Sequence, residues 1–101
     1  IGRDALTGDS AHSPSVRIAV TGMGKSANGH VVTVEAINEA GGTAAALQIE
    51  GALSDGVRVV ERSVATIDYV PGHGRAAAGL YFRQDPRAGQ LDVRATGYQQ
   101  P

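Results

Sequence analysis

Hydrophobic and polar residues alternate in the middle of the chain, in two stretches that predict β-strands at His30–Ile37 and Ala44–Leu53. Successive side chains of a strand point to opposite faces of the sheet, so a period of two indicates one buried and one exposed face. A polar segment, residues 38–42, joins the two stretches. The residues that share the predicted buried faces are Val32, Val34 and Ala36 in the first stretch, and Ala45, Leu47, Ile49 and Leu53 in the second.

Five further segments show the same alternation or a short apolar run with a bulky centre, and each is bounded by turn-forming residues. They predict strands at Val16–Thr21, Val57–Glu61, Ser63–Val70, Ala77–Arg83 and Leu91–Thr96. The segment Thr43–Leu53 is rich in alanine and could instead begin a helix capped by Thr43. Its alternation, with Gly51 inside it, favours the strand.

Turn chemistry separates these strands. Gly22–Gly29 predicts a loop that ends in the turn-forming pair Asn28-Gly29, and Asp55-Gly56 predicts a hairpin tip in which glycine supplies the positive φ. Pro71-Gly72 predicts a type II turn, with proline in the second position and glycine in the third. Residues 85–89 predict a short hairpin loop.

About seven short strands without a convincing helix predict an all-β fold, an immunoglobulin-like antiparallel β-sandwich. The Cys…Trp…Cys pattern of antibody domains is absent, so the prediction concerns architecture alone. We expect this domain over residues 16–101 and a flexible linker over residues 1–15, where no periodicity is sustained. Because the first residue is isoleucine, we expect the chain to be a fragment or a processed form.

Composition and charge narrow the function classes. A length of 101 residues is sufficient for one domain with its own core. The net charge of −1 offers no basic surface for a nucleic acid or an anionic membrane. There are no cysteines, which excludes disulfides and thiolate metal sites, and the four aromatic residues provide little surface for stacking sugars or bases.

One segment superficially resembles a nucleotide-binding loop. Ala19–Ser26 fits a relaxed P-loop pattern in which alanine replaces the first glycine. A working P-loop must run into a helix whose N-terminus faces the phosphates, whereas the residues from His30 onward are patterned as a strand. We therefore interpret the segment as a glycine-rich hairpin loop and predict no cofactor.

The other chemically interesting side chains are dispersed. The three histidines, His12, His30 and His73, lack the spacing of paired metal ligands, so we predict no metal site. No nucleophile is placed beside a base, and we predict no catalytic residues and no enzymatic activity. The turn after the proline carries His73 and Arg75, which could meet a carboxylate of a partner. We predict these two residues as a possible interaction loop.

The block Val31–Leu53 resembles a repeated pattern in bacterial cell-adhesion-related and CARDB-type sandwich domains. Three other segments, Ala5–Ser10, Val59–Gly72 and Phe82–Pro101, are similar to a small family of uncharacterised bacterial proteins. Members of that family have one N-terminal transmembrane helix followed by such a domain, and are often encoded beside a multi-span membrane protein. The resemblance implies an extracytoplasmic, membrane-anchored domain whose membrane segment lies outside this chain. It also implies that the flexible linker over residues 1–15 is juxtamembrane. It supplies no catalytic residues.

These observations lead to a functional expectation. We expect a non-catalytic interaction or assembly module with a protein partner, which the family resemblance suggests is a multi-span membrane protein. Sheet edges can also add a strand from another chain, so a homo-oligomer through edge strands is a further expectation, with Thr43–Leu47 and the final strand as candidate edges. The alternative is a module that binds a small molecule or a glycan, which an exposed cluster of Tyr69, Tyr81 or Tyr98 would favour.

Overall fold

The computed structural model describes residues 15–99, so the predicted linker lies outside the described residues except for Ser15, as does His12. Six strands make up most of this part of the chain. They are β1 (Val16–Ser26), β2 (Gly29–Asn38), β3 (Ala44–Ser54), β4 (Val59–Val70), β5 (Arg75–Phe82) and β6 (Gln90–Gln99), with a single 3-10 turn at Pro86–Ala88 between the last two.

The strands form two antiparallel three-stranded sheets, with the orders β1-β2-β5 and β4-β3-β6. The all-β sandwich predicted from the sequence is therefore confirmed. In an immunoglobulin-like sandwich the first, second and fifth strands share one sheet, and the third strand pairs with the strand called F in the other. Strand β6 occupies the position of F, beside β3.

The core lies between the two sheets and is built from the faces that the alternation predicted. Val32, Val34 and Ala36 of β2 are fully buried, as are Leu47 and Ile49 of β3. Gly51 makes room at the centre of β3, because a Cβ atom there would lie 2.9 Å from Leu80 Cδ1 and 3.1 Å from Phe82 Cζ. The inward-facing Leu80 and Phe82 of β5 therefore fill the middle of the core.

The buried face predicted for the start of β3 was wrong by one residue. Ala44 is fully buried, whereas Ala45 is half-buried, so the alternation at the start of β3 is offset from the prediction. The cause is Ala46, whose φ of 49° lies in the left-handed region. The pairing of β3 with β6 is irregular at the same place, which marks a β-bulge that reverses the order of inward and outward side chains.

The strand count is six instead of about seven, because the predicted segments Val57–Glu61 and Ser63–Val70 merge into the single strand β4, which begins at Val59. No glycine, proline or asparagine lies between them, and the alternation continues through Arg62. Ala65 packs against the core and Ile67 is 9% exposed. Continuous alternation within one strand was therefore mistaken for two strands.

Strand β1 is longer than predicted. The expected loop Gly22–Gly29 is wrong, because β1 continues to Ser26 and pairs with β2 down to a two-residue turn, Ala27-Asn28. The register shifts between Val20 and Gly22, so a bulge at Thr21 lets the strand pass the glycines without losing its pairing.

Three connections, β2 to β3, β4 to β5 and β5 to β6, cross between the sheets instead of closing hairpins. Strand β5 belongs to the first sheet and β6 to the second, so the hairpin predicted at residues 85–89 is wrong. The crossing from β2 to β3 is held by Asn38, which is 1% exposed. Its Nδ2 donates to the carbonyls of Gly42 (2.6 Å) and Val70 (3.2 Å). Its Oδ1 accepts from the amides of Ser15 (3.1 Å) and Ala40 (3.2 Å), so every polar group of this buried amide is satisfied.

Candidate functional site

The predicted interaction loop is a turn whose backbone is hydrogen-bonded to the segment that follows β2. His73 has a φ of 56°, and its amide donates to the carbonyl of Ala40 at 2.8 Å. The turn is closed by the amide of Gly74 and the carbonyl of Pro71, 2.9 Å apart, so Gly72 and His73 are its central residues. The turn thus begins one residue later than predicted. Gly72 has a different role, because a Cβ atom there would overlap the backbone of Gly41.

Arg75 already has an anionic partner within the chain. Its Nη1 lies 3.3 Å from Oε1 of Glu35 on the neighbouring strand, and its side chain is 66% exposed. An exposed pair of this kind contributes little to stability and leaves the guanidinium accessible. The structure places His73 in the turn and Arg75 at the first residue of β5, at the same end of the sandwich.

The segment that resembles a P-loop is part of a strand. Ala19–Ser26 lies in β1, and Lys25 is paired with His30 of β2 across the hairpin. The chain turns directly into β2 at Ala27-Asn28, so no helix N-terminus faces this segment. Its backbone amides are arranged as a strand and do not form the concave loop that holds phosphates.

A shallow depression of about 540 Å³ lies at the end of the sandwich where β1 turns into β2. One of its polar side chains, Glu61, is already engaged in the fold. The carboxylate of Glu61 accepts the amide of Arg83 at 2.7 Å and that of Gln84 at 3.0 Å. The remaining lining consists of Ser26, Ala27, Asn28, Tyr81, Phe82 and Arg83.

The three tyrosines are exposed but are not a single cluster. Tyr69 and Tyr81 are each 64% exposed and Tyr98 is 43% exposed. Tyr81 lies beside Ser63 of β4, whose hydroxyl accepts its amide. Tyr69 lies six residues further along β4, a distance of roughly 20 Å for extended chain. The arrangement therefore lacks a shared aromatic platform that includes Tyr69 and Tyr81.

The two long sides of the sandwich, where the edge strands of the two sheets face each other, differ in structure. On one side β4 and β5 run close together, and side chains of β4 accept outward-facing amides of β5. Ser63 Oγ accepts the amide of Tyr81 at 3.0 Å, and Glu61 accepts two more just beyond β5. We call this side, β4 with β5, the closed flank. The closed flank blocks a sheet edge whose backbone groups could otherwise pair with a strand of another chain.

On the opposite side β1 and β6 approach each other less closely. Val20 and Met23 of β1 are paired with Val34 and Val32, so they point toward the interior, yet they are 45% and 41% exposed. No hydrogen bond joins β1 to residues 90–95 of β6 within the described part of the chain. We call this side, β1 with β6, the open flank.

The sequence identified only part of this surface. The final strand was predicted as a candidate edge, and β6 is indeed an edge strand. The other candidate, Thr43–Leu47, was wrong, because β3 is the central strand of its sheet and is paired on both sides. Alternation alone could not show that Val20 and Met23 remain exposed, since it assigns Val20 to the buried face and leaves Met23 in the predicted loop Gly22–Gly29.

Within residues 15–99, no group of three or more histidine or acidic side chains is arranged to hold a metal ion. None of the helices described there has the length and apolar character that crossing a membrane requires. Comparison of the chain with protein-family models, with curated proteins and with solved structures finds no match.

Proposed function

We propose that this domain is a non-catalytic assembly module, the extracytoplasmic part of a membrane-tethered bacterial protein, and that it joins other proteins through its open flank. The observation that carries the proposal is the contrast between the two flanks. The closed flank is sealed by Ser63 and Glu61, whereas the open flank exposes the inward-facing side chains Val20 and Met23. Apolar residues left uncovered at a sheet edge are typical of a site of protein association.

The placement beside a membrane rests on the family resemblance of the segments Val59–Gly72 and Phe82–Pro101. That resemblance suggests a multi-span membrane protein as the partner and a tether outside this chain. An interaction role also agrees with the chemistry of the described residues, whose buried polar side-chain groups all have hydrogen-bond partners.

Co-purification from native membranes tests this proposal. The full-length protein, tagged at its C-terminus, should be extracted in detergent and should bring a multi-span membrane protein in stoichiometric amount. Met23→Lys places a charge in the open flank and should abolish this recovery, since a buried unpaired charge opposes association. The matched control is Val64→Lys, at a residue that is 63% exposed on another strand. Recovery of the tagged protein alone would overturn the membrane-partner proposal, and a partner retained by Met23→Lys would exclude the open flank.

The second candidate function is binding of a small molecule or glycan in the depression next to Tyr81. The observation that favours it is an exposed aromatic ring beside Arg83, in a depression of about 540 Å³, a volume within the range of ligand sites. Calorimetric titration with a panel of oligosaccharides and small metabolites tests it. Binding should be lost in Tyr81→Ala and kept in Tyr69→Ala, and the absence of any heat with the panel would count against this function.

A further inference from the structure

We propose that the free edge of β6 pairs with β6 of a second copy of this chain, antiparallel and centred on Val93. The two copies would then share one continuous sheet of the order β4-β3-β6-β6-β3-β4. This inference rests on the proposed function and deepens it, because it names a second copy as one of the proteins that associate at the open flank.

The topology shows that a strand can be added at this edge. In a seven-stranded immunoglobulin-like sandwich, strand F is paired on one side with C and on the other with G. Here β6 takes the position of F and pairs with β3, and no strand within residues 15–99 pairs with its other side. The backbone groups along that side are thus in position for a ladder with another chain.

The regular part of β6 is also short and well defined. From Gln90 to Ala95 the strand pairs with β3 without a break, whereas the register shifts twice between Ala95 and Gln99. A bulged strand bends and disrupts a ladder, so an incoming strand should use the regular part. Val93 lies near its centre and therefore near the axis of a symmetric pair.

Charge selects the register. Asp92 and Arg94 are both exposed on the outer face of the sheet, and neither forms an ion pair with another described residue. When Val93 faces Val93 of the second copy, each Asp92 lies opposite an Arg94, which gives two opposite-charge pairs. A shift by two residues in either direction would place Asp92 opposite Asp92 or Arg94 opposite Arg94, and like charges directly opposite destabilise a sheet. A shift by one residue would set inward side chains against outward ones.

The inner face of the same register is apolar throughout. Leu91, Val93 and Ala95 are partly buried and pack against the core. In the proposed pair, Leu91 of each copy lies opposite Ala95 of the other, and the two Val93 side chains meet on the axis. The added sheet would extend the apolar layer toward Val20 and Met23 on the open flank, which would become less exposed.

The other edges are less suitable for this pairing. In strand β5 the amide of Tyr81 is bound by Ser63, and Glu61 binds the two amides just beyond the end of the strand, so the closed flank occupies this part of the edge. Strand β1 carries the bulge at Thr21, and its charged residues, Arg17 and Lys25, are both cations. Two copies of β1 would therefore lack the charge complementarity of β6. Pairing through β6 also uses the same edge of both copies, so the dimer is closed and does not grow into a fibre.

Sedimentation equilibrium of the purified full chain, over a wide concentration range, tests the proposal. The unmodified chain should be a dimer in reversible equilibrium with a monomer. Asp92→Arg and Arg94→Asp each replace two attractive contacts by two repulsive ones, so each should weaken the dimer by about tenfold or more. The double variant D92R/R94D restores opposite charges in the same register and should recover the dimer.

Mixing the two single variants gives the most discriminating test of the proposed register. The Asp92→Arg chain carries two cations at these positions and the Arg94→Asp chain two carboxylates, so an equimolar mixture should form a heterodimer although each chain alone is largely monomeric. The control is Asp68→Arg, the same charge change at an exposed residue of β4, which should leave the dimer unchanged. A monomer at every concentration, or a dimer that neither single variant weakens, would overturn the proposal. So would a mixture of the two single variants that fails to associate.

The failure of this inference is distinguishable from the failure of the proposed function. The dimer is measured with the purified chain alone, whereas the membrane partner is sought in detergent extracts of native membranes. A monomeric chain that still recovers a membrane protein would retain the assembly role and exclude self-pairing through β6.

Discussion

Met23 and Leu80 flank the same residue, Val32, in one row of the first sheet, yet their surroundings are opposite. Methionine is unbranched and leucine is branched at Cγ, but the two apolar side chains are similar in size. Both point toward the interior. Leu80, on the closed flank, is fully buried, whereas Met23, on the open flank, is 41% exposed. The difference shows that the position of the facing sheet, and not the residue type, decides which apolar side chains are covered.

The covering of the closed flank has a specific structural cause. Gly51 leaves space above the centre of β3, and Leu80 and Phe82 occupy that space. At the edge, Glu61 and Ser63 bind amides in and just beyond β5 and hold the two sheets together. On the open flank, the described residues contain no equivalent bridge between β1 and the regular part of β6, so apolar surface stays accessible for another chain.

The largest expected effect comes from truncating the two side chains of this row. Leu80→Ala should lower the free energy of unfolding by about 2–5 kcal/mol, because it removes buried contacts and leaves a cavity. Met23→Ala should lower it by less than about 1 kcal/mol, since much of that side chain is already in water. Urea denaturation of both variants, at concentrations where the chain is monomeric, measures the difference. Equal losses of stability would contradict the distinction between the flanks.

A second variant should partly open the closed flank. Glu61→Ala leaves the amides of Arg83 and Gln84 without their acceptor and should lower the free energy of unfolding by about 1–3 kcal/mol. Hydrogen exchange of these two amides should become faster. Glu61→Gln retains one carbonyl oxygen and should lie between the unmodified chain and the alanine variant. Unchanged exchange in Glu61→Ala would show that other groups close this flank.

Two hydroxyl groups offer a smaller, matched comparison. Ser63→Ala removes the acceptor for the amide of Tyr81 and should lower the free energy of unfolding by about 0.5–1.5 kcal/mol. Thr21→Val removes a hydroxyl on the open flank that donates to the carbonyl of Thr33 at 3.3 Å within one sheet. That hydroxyl is a donor between strands of the same sheet and joins no facing strand, so its loss should change stability by less than about 0.5 kcal/mol. Thermal denaturation of the two variants side by side measures the difference between their losses of stability. A larger loss of stability in Thr21→Val than in Ser63→Ala would contradict the prediction.

The smallest expected effect is the acid dependence of stability, which involves neither flank. The backbone amide of Arg87 donates a hydrogen bond to the carboxylate of Asp85 at the start of the 3-10 turn. This bond holds the pKa of Asp85 below its ordinary value of 3.8. The folded carboxyl therefore keeps its charge at pH values where the unfolded one is protonated. Its contribution is complete above pH 3.8 and is lost as the pH falls through the lower pKa of the folded state.

Asp85→Asn should consequently flatten the loss of stability below pH 3.8, as measured by denaturation at a series of acidic pH values. The difference between Leu80→Ala and Met23→Ala should stay the same over that range, because neither side chain titrates. A steeper acid dependence in Asp85→Asn would contradict the assigned cause of the lowered pKa.

Much of the fold could be predicted from local pattern. The alternation in Val32, Val34 and Ala36 identified the core face of β2, and Asp55-Gly56 marked a hairpin whose glycine has a φ of 98°. Errors arose where the backbone departed from ideal pairing. The left-handed Ala46 changed the buried face of β3, and the bulge at Thr21 allowed a strand through a glycine-rich segment.

Local sequence pattern predicted less of the candidate site than of the fold. Local pattern allowed the final strand to be proposed as an edge, and β6 lies at the edge of its sheet. It could not show that Thr43–Leu47 is central, since strand order depends on pairing between residues far apart in the chain. It also assigned Val20 to the interior, where its strand pairing does place it, without revealing that nothing in the described part of the facing sheet covers it fully.

The sequence by itself therefore determined that the chain forms a β-sandwich, because side-chain periodicity and turn chemistry act over a few neighbouring residues. Only the tertiary structure decided which flank is sealed, because that depends on where Glu61, Ser63 and Gly51 lie relative to a strand about 20 to 30 residues away. Local pattern fixes which way a side chain points. Long-range packing fixes what, if anything, lies against it.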